Sequence, residues 1–212
     1  MLGGSIKTIL KTFKPQECEQ ILSGKQSIFV MKSIPKAELP FRVLMCCSKK
    51  KEYRALYINE KTARKEIGTI STWIKRENEL LVNIGTINEF KAYYAHGKVV
   101  AEFIVNNINE IYYAESSTDV GVCVQTNISI LKEKSCLSQD EILSYMGNRE
   151  IIYAWHITDL KVFDKPRELG EFKGKRKVSY YEMPYDTKTF KIIERYERLT
   201  KAPQNYMYVE EI

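Results

Sequence analysis

Residues 97–105, Gly-Lys-Val-Val-Ala-Glu-Phe-Ile-Val, are apolar almost throughout. A strand with so few polar positions has no solvent face, so it demands cover on both sides and reads as central in a sheet. Around it the chain breaks into short apolar pieces: Ile6 to Phe13, Gln26 to Lys32, Phe41 to Cys47, and Tyr206 to Val209. Glu150 to Ile157 and Leu160 to Phe163 read as two more strands around a turn at Thr158-Asp159. Many short strands with few helices predict an α+β chain built on a mixed β-barrel.

Two helices are signalled at their ends. Pro15 suits a first helical turn, Glu17 and Glu19 complement the helix dipole, and Gly24 permits a left-handed exit after Ser23. Ser138 with Glu141 forms a capping-box pattern for a helix reaching Tyr145, and Gly147 stops it. Residues 106–137 read as a polar stretch. Residues 48–95 and 171–200 are loosely patterned and read as insertions.

The segment Lys14 to Pro35 thus runs helix, Gly24-Lys25 turn, strand. Downstream stand Tyr153-Ala-Trp155-His156-Ile and Asp159-Leu-Lys161-Val-Phe163-Asp164-Lys-Pro166-Arg-Glu168-Leu. Near the end comes Ala202-Pro203-Gln204-Asn205-Tyr206-Met-Tyr208-Val-Glu. Together these pieces resemble the ASCH family, a branch of the PUA-like β-barrels, in the versions carried by phages and mobile elements of low-GC bacteria. The resemblance implies one domain over residues 1–212, a PUA-like mixed β-barrel with short helices and insertions at about 48–95 and 171–200.

The departures from that frame bear on chemistry. Gln26 stands where the family usually has Lys, Ser27 where it has Thr, Phe29 where it has Glu or Thr, and Met31 where it has Arg. Some small ASCH members hydrolyse acetylated cytidine through a Lys and a Thr of this strand. Gln26 and Phe29 carry no proton that titrates near neutral pH, so neither serves as base or nucleophile. Period two puts Phe29 and Met31 on one face, which is either an apolar cleft wall or the core.

Composition narrows the classes further. The five cysteines (18, 46, 47, 123 and 136) follow no pairing rhythm, and Cys46-Cys47 sit in an apolar run as buried thiols. No Cys-x-x-Cys exists and His96 and His156 are the only histidines, so no metal or other cofactor is expected. With no apolar run long enough to span a bilayer and no signal pattern, the chain reads as cytoplasmic with no membrane partner, and the family resemblance implies a bacterial host cell. Charge is uneven. Residues 1–65 hold 14 Lys/Arg against 5 Glu, whereas residues 106–160 hold 3 against 8 acids. That split predicts one basic face able to engage phosphates.

Candidate ligand-binding residues follow from these patterns, and no catalytic set does. Lys25, Ser27 and Lys32 are what stays polar around the signature strand. They suit phosphates and a base edge, or are ordinary solvated positions. Lys49, Lys50 and Lys51 form one basic loop. Lys173 to Lys177, with Lys175 and Arg176, form another, and Tyr53 and Tyr180 are interleaved as single-stranded nucleic acid requires. Trp155 and His156 alternate, so one faces the core and the other the cleft, and a lone His defines no triad. The family resemblance implies a non-catalytic module for RNA or single-stranded or modified nucleic acid, and the basic N-terminal third is consistent with it. The chain's 14 tyrosines also suit a phage-encoded inhibitor gripping a host defence protein or nucleoprotein complex. A nuclease or amidohydrolase with relocated catalytic residues is the third reading.

Overall fold

The computed structural model describes residues 6–49, 54–57, 79–82, 93–115, 120–124, 128–182 and 189–212. Strand β1 (Thr8–Phe13) leads into helix α1 (Pro15–Leu22) and strand β2 (Ile28–Met31), then β3 (Phe41–Cys47). A small separate sheet follows: β4 (Arg54–Tyr57) runs parallel to β5 (Glu79–Val82) and antiparallel to β6 (Tyr93–Tyr94). The long β7 (Val99–Glu115) and β8 (Val120–Val124) precede helices α2 (Ile128–Ser135) and α3 (Gln139–Met146). A second long strand, β9 (Ile151–Arg167), a 3-10 turn, the ribbon β10 (Phe172–Glu182) and β11 (Thr189–Arg198), and β12 (Tyr206–Glu211) complete the described chain.

Among the described residues the main sheet has nine strands, in the order β11-β10-β12-β1-β3-β7-β9-β2, with β8 on β7. It is mixed, because β1 runs parallel to β3 and antiparallel to β12. The sheet curls back on itself. Phe13 of β1 and Phe29 of β2 stand four strands apart in the order, yet their rings meet edge-on at 4.8 Å. Register shifts between β7 and β9, at Val99/Ala101, Glu102/Ile104 and Val105/Ile108, supply the bends. A mixed α+β fold with short helices is what the strand pattern predicts.

Two local readings are corrected. Residues 106–115 continue β7 instead of starting a polar stretch, and β8 and α2 occupy much of the rest. Exposed Asn106 and Asn107 sit at a register shift that breaks the alternation, and the pattern resumes with Ile108 and buried Ile111. The turn at Thr158-Asp159 is instead an irregularity within one strand. Asp159 adopts φ 50° and β9 continues through it, Thr158 pairing with Ile104 and Lys161 with Glu102.

Both faces of the sheet are covered. One core gathers Ile9, Phe13, Phe29, Met31, Phe41, Phe103 and Trp155. A second places Ile28, Val30 and Ile152 under Leu131, Ile142 and Met146 of α2 and α3. A third joins Leu10, Leu44, Phe172, Leu199 and Val209. Phe29 and Met31 are therefore core residues, and β2 is buried on both sides. Cys46 and Cys47 are buried in β3, and burial foremost pushes the Cys46 thiol up to about 12. The capping box at Ser138 forms as its spacing predicts, with the Glu141 amide donating to the Ser138 hydroxyl at 3.2 Å. Among the described residues no helix is long and apolar enough to cross a membrane.

Candidate nucleic-acid interface

The sheet opens where β12 changes partners. Tyr206, Met207 and Tyr208 pair with β1, whereas Val209, Glu210 and Glu211 pair with β10. Gly174 allows the crossing, because a Cβ at that position would collide with Met207 and Leu199. Beyond it β10 turns away with β11, and a cavity of about 900 Å³ is left between the strands. Lys7, Lys36, Arg42 and Lys175 line it together with Tyr196, Tyr206 and Tyr208.

Its floor is fixed by a charge network. Arg42 donates to the Thr8 hydroxyl at 3.0 Å and bridges Glu211 at 2.8 Å and Glu102 at 3.3 Å. Arg167 holds the other Glu211 oxygen at 2.9 Å. Burial alone would raise the Glu211 pKa, but the two guanidiniums outweigh it and keep the carboxylate below its ordinary range. With Glu211 held by two guanidiniums, the described lining carries Lys7, Lys36, Arg42 and Lys175 against Glu210 and Glu211. Tyr206 and Tyr208 meet edge to face at 6.5 Å, and the Tyr206 hydroxyl donates to the Ile34 carbonyl at 3.2 Å. Burial, then the neighbouring Tyr206, push the Tyr208 hydroxyl up, so it stays protonated at neutral pH. Tyr196 is 42% exposed at the mouth. Aromatic faces among cations suit a ligand with flat rings and phosphates.

The residues singled out from sequence scatter. Of these, among the described residues, Lys175 alone lines the cavity. Lys175 and Arg176 lie in strand β10 and not in a loop, because each pairs across to β11, with Tyr196 and Arg195 respectively. Lys25 is exposed after α1, where its carbonyl accepts the Cys136 thiol at 3.4 Å. Ser27 is fixed through its backbone, its amide donating to Lys134 and its carbonyl accepting from Ile157, both at 2.9 Å. Lys32 places its ammonium 4.9 Å from the ring of Tyr145. Lys49 is exposed with its stem against Gly97, and Lys50 and Lys51 lie outside the described residues. Trp155 is fully buried, edge-on to Phe41 at 5.3 Å. His156 points to the other face and bonds the Asn109 side chain, and burial with the Lys134 charge lowers its pKa. Gln26, where the family has Lys, is buried with its amide donating to the Ile28 carbonyl at 3.0 Å.

One buried cation escaped the sequence reading. Lys11 sits between Ile9 and Phe13 on the core-facing side of β1, 7% exposed. Its ammonium lies 5.2 Å and 5.1 Å from the ring centres of Phe13 and Phe29. Burial depresses its pKa, and Glu17 opposes this only in part. The signal was a lone Lys on the apolar parity of a strand. Because the folded chain releases this proton more readily than the unfolded chain, stability rises with pH between the lowered value and the ordinary lysine range. Lys11→Met is expected to raise stability at neutral pH by about 1 kcal/mol and to remove that alkaline gain. Urea titrations at several pH values measure both. An unchanged pH dependence would show that the charge is not penalised.

Among solved structures, the chain is similar to an ASCH protein from Zymomonas mobilis, with 12% identity, a TM-score of 0.43, and coverage of 77% of this chain and 74% of that one. A tyrosine-to-phenylalanine variant and a serine-to-alanine variant of that protein each give 12% identity and a TM-score of 0.42 over 77% of this chain. They cover 76% and 75% of those chains. No family model matches the chain, and no curated protein matches it.

Proposed function

We propose that this protein is a non-catalytic binding module of the PUA-like, ASCH type, one domain elaborated by insertions at about 48–95 and 171–200, that takes RNA or another single-stranded nucleic acid. The observation that supports it is the cavity at β12, where three tyrosines stand among Lys7, Lys36, Arg42 and Lys175. Single strands are held by bases stacking on aromatic faces while cations follow the phosphates. Arg42 bridges Glu211 and Glu102 and so shapes the floor, while Lys7, Lys36 and Lys175 line the walls.

Titrating a labelled single-stranded RNA against the protein over a potassium chloride series tests this reading. Three lysine contacts predict that log affinity falls with log salt with a slope of about −2, at about 0.7 per phosphate. Lys36→Glu is expected to weaken binding and flatten that slope by roughly one contact. A protein partner is the second reading, favoured by Ile6, 52% exposed in the cavity lining, and Ile34, 46% exposed where its carbonyl meets Tyr206. Absent or salt-independent RNA binding would overturn the nucleic-acid reading and favour that partner.

A further inference from the structure

The main sheet ends at β11. Among the described residues this strand pairs on one side only, with β10, from Thr189 to Arg198 without a register shift. Its outer edge presents backbone N–H and C=O groups that no described strand takes up. Such edges are commonly blunted by a bulge, a proline or charges that repel a second strand. β11 has no bulge and no proline. It does carry charges, but in a particular order: Glu194-Arg195-Tyr196-Glu197-Arg198 exchanges every acid for a base when read backwards. Arg195, Tyr196, Glu197 and Arg198 are consecutive exposed positions, so neither face of the strand is covered there.

A second copy of the strand, laid antiparallel and centred on Tyr196, would set Arg195 opposite Glu197, Glu197 opposite Arg195 and Tyr196 opposite Tyr196. Position 194, an acid, would meet Arg198. Opposite charges and aromatic pairs directly across a ladder stabilise it, and like charges oppose it. Every neighbouring register brings like charges together. Moving the centre by one residue sets Arg195 on Arg195 or Glu197 on Glu197, and the half-steps between set position 194 on Glu197 or Arg195 on Arg198. One register is therefore selected.

We propose that β11 is a self-complementary edge through which two copies of this chain join antiparallel, about a two-fold axis at Tyr196, into one continuous sheet. The interface is isologous, so each ion pair occurs twice. The axis stands perpendicular to the sheet, and both copies present the same face on the same side. Because Tyr196 lines the cavity, the two cavities meet at the paired tyrosines. The new ladder is short: it stops where Leu199 turns into the core and donates its amide to the Phe172 carbonyl. A small interface of this kind makes a weak dimer that fills at high concentration. The pairing needs no ligand, so it stands apart from the nucleic-acid reading.

Sedimentation velocity on the ligand-free protein over a roughly hundredfold range of concentration tests the edge, because a weak dimer fills by mass action. The wild type is expected to pass from monomer to dimer and stop there, since an isologous pairing uses up the β11 edge of both copies. Arg195→Glu and Glu197→Arg each set like charges across the axis at two places. Each alone should raise the dimer dissociation constant at least about tenfold. Mixed in equal amounts, the two variants complement one another and should dimerise nearly as tightly as wild type. The double variant, with both changes in one chain, reverses each of these pairs and should dimerise with itself. A wild type that stays monomeric at every concentration would overturn the proposal. So would single variants that dimerise like wild type, or a mixture that stays monomeric. If a single variant does not fold, the double variant decides: folded but monomeric, it too would overturn the edge.

Discussion

Replacing Trp155 with alanine is expected to cost about 3–5 kcal/mol of stability, the largest effect of any single substitution considered. The indole is fully buried where β2 and β9 meet, paired across the ladder with Phe29 and packed on Phe41, with Tyr206 at 6.4 Å. A cavity of that size cannot close, because its walls belong to strands fixed in register on both sides. Trp155→Phe should cost far less. Among the described residues the buried indole nitrogen has no hydrogen-bond partner, so its removal relieves a polar burial penalty while most of the aromatic volume remains. Urea unfolding of the two variants measures the difference. Similar losses in both would mean that the indole makes a contact the phenyl ring cannot replace.

Tyr196→Ala is expected to weaken single-strand binding by about 1–3 kcal/mol, the cost of one lost stacking platform. That is roughly a 5- to 150-fold rise in dissociation constant. The thermal midpoint should hold, because the side chain is 42% exposed and has little packing to lose. Tyr196→Phe should bind nearly as well as wild type, since a ring face and not a hydroxyl does the stacking. If Tyr196→Ala binds the strand unchanged, the mouth of the cavity is not where bases rest. The pair of variants separates stacking from charge, which Lys36→Glu probes alone.

Much of the framework was legible because its signals are local. Pro15 and Gly24 bracket α1, Ser138 and Glu141 cap α3, and Phe41 to Cys47 is apolar enough to be recognised as the buried strand β3. Legibility failed wherever a bulge reset the period. Asn106-Asn107 and Asp159 look like loop residues because a bulged strand exposes consecutive positions, yet both lie within seventeen-residue strands. The cavity was hidden for a different reason. Lys7, Lys36, Arg42, Tyr196 and Tyr208 come from distant segments, and only the sheet order makes them neighbours. The ending that contains Tyr206 and Tyr208 did stand out in the sequence, as part of a family resemblance. Its alternation was visible, but what lay opposite it was not.

The pairing of Ile9 with Tyr208 joins positions separated by almost the whole chain. Contacts that close so large a loop are entropically the dearest to form and come late in folding, whereas a hairpin such as β10–β11 needs only its own residues. The β10–β11 hairpin can therefore be assembled early in folding, but the cavity arises only when β12 docks on β1. Binding at the cavity, as proposed, would therefore require β12 to be docked on β1. A destabilised variant that still shows strand-rich circular dichroism would lose cavity binding before it loses its hairpins.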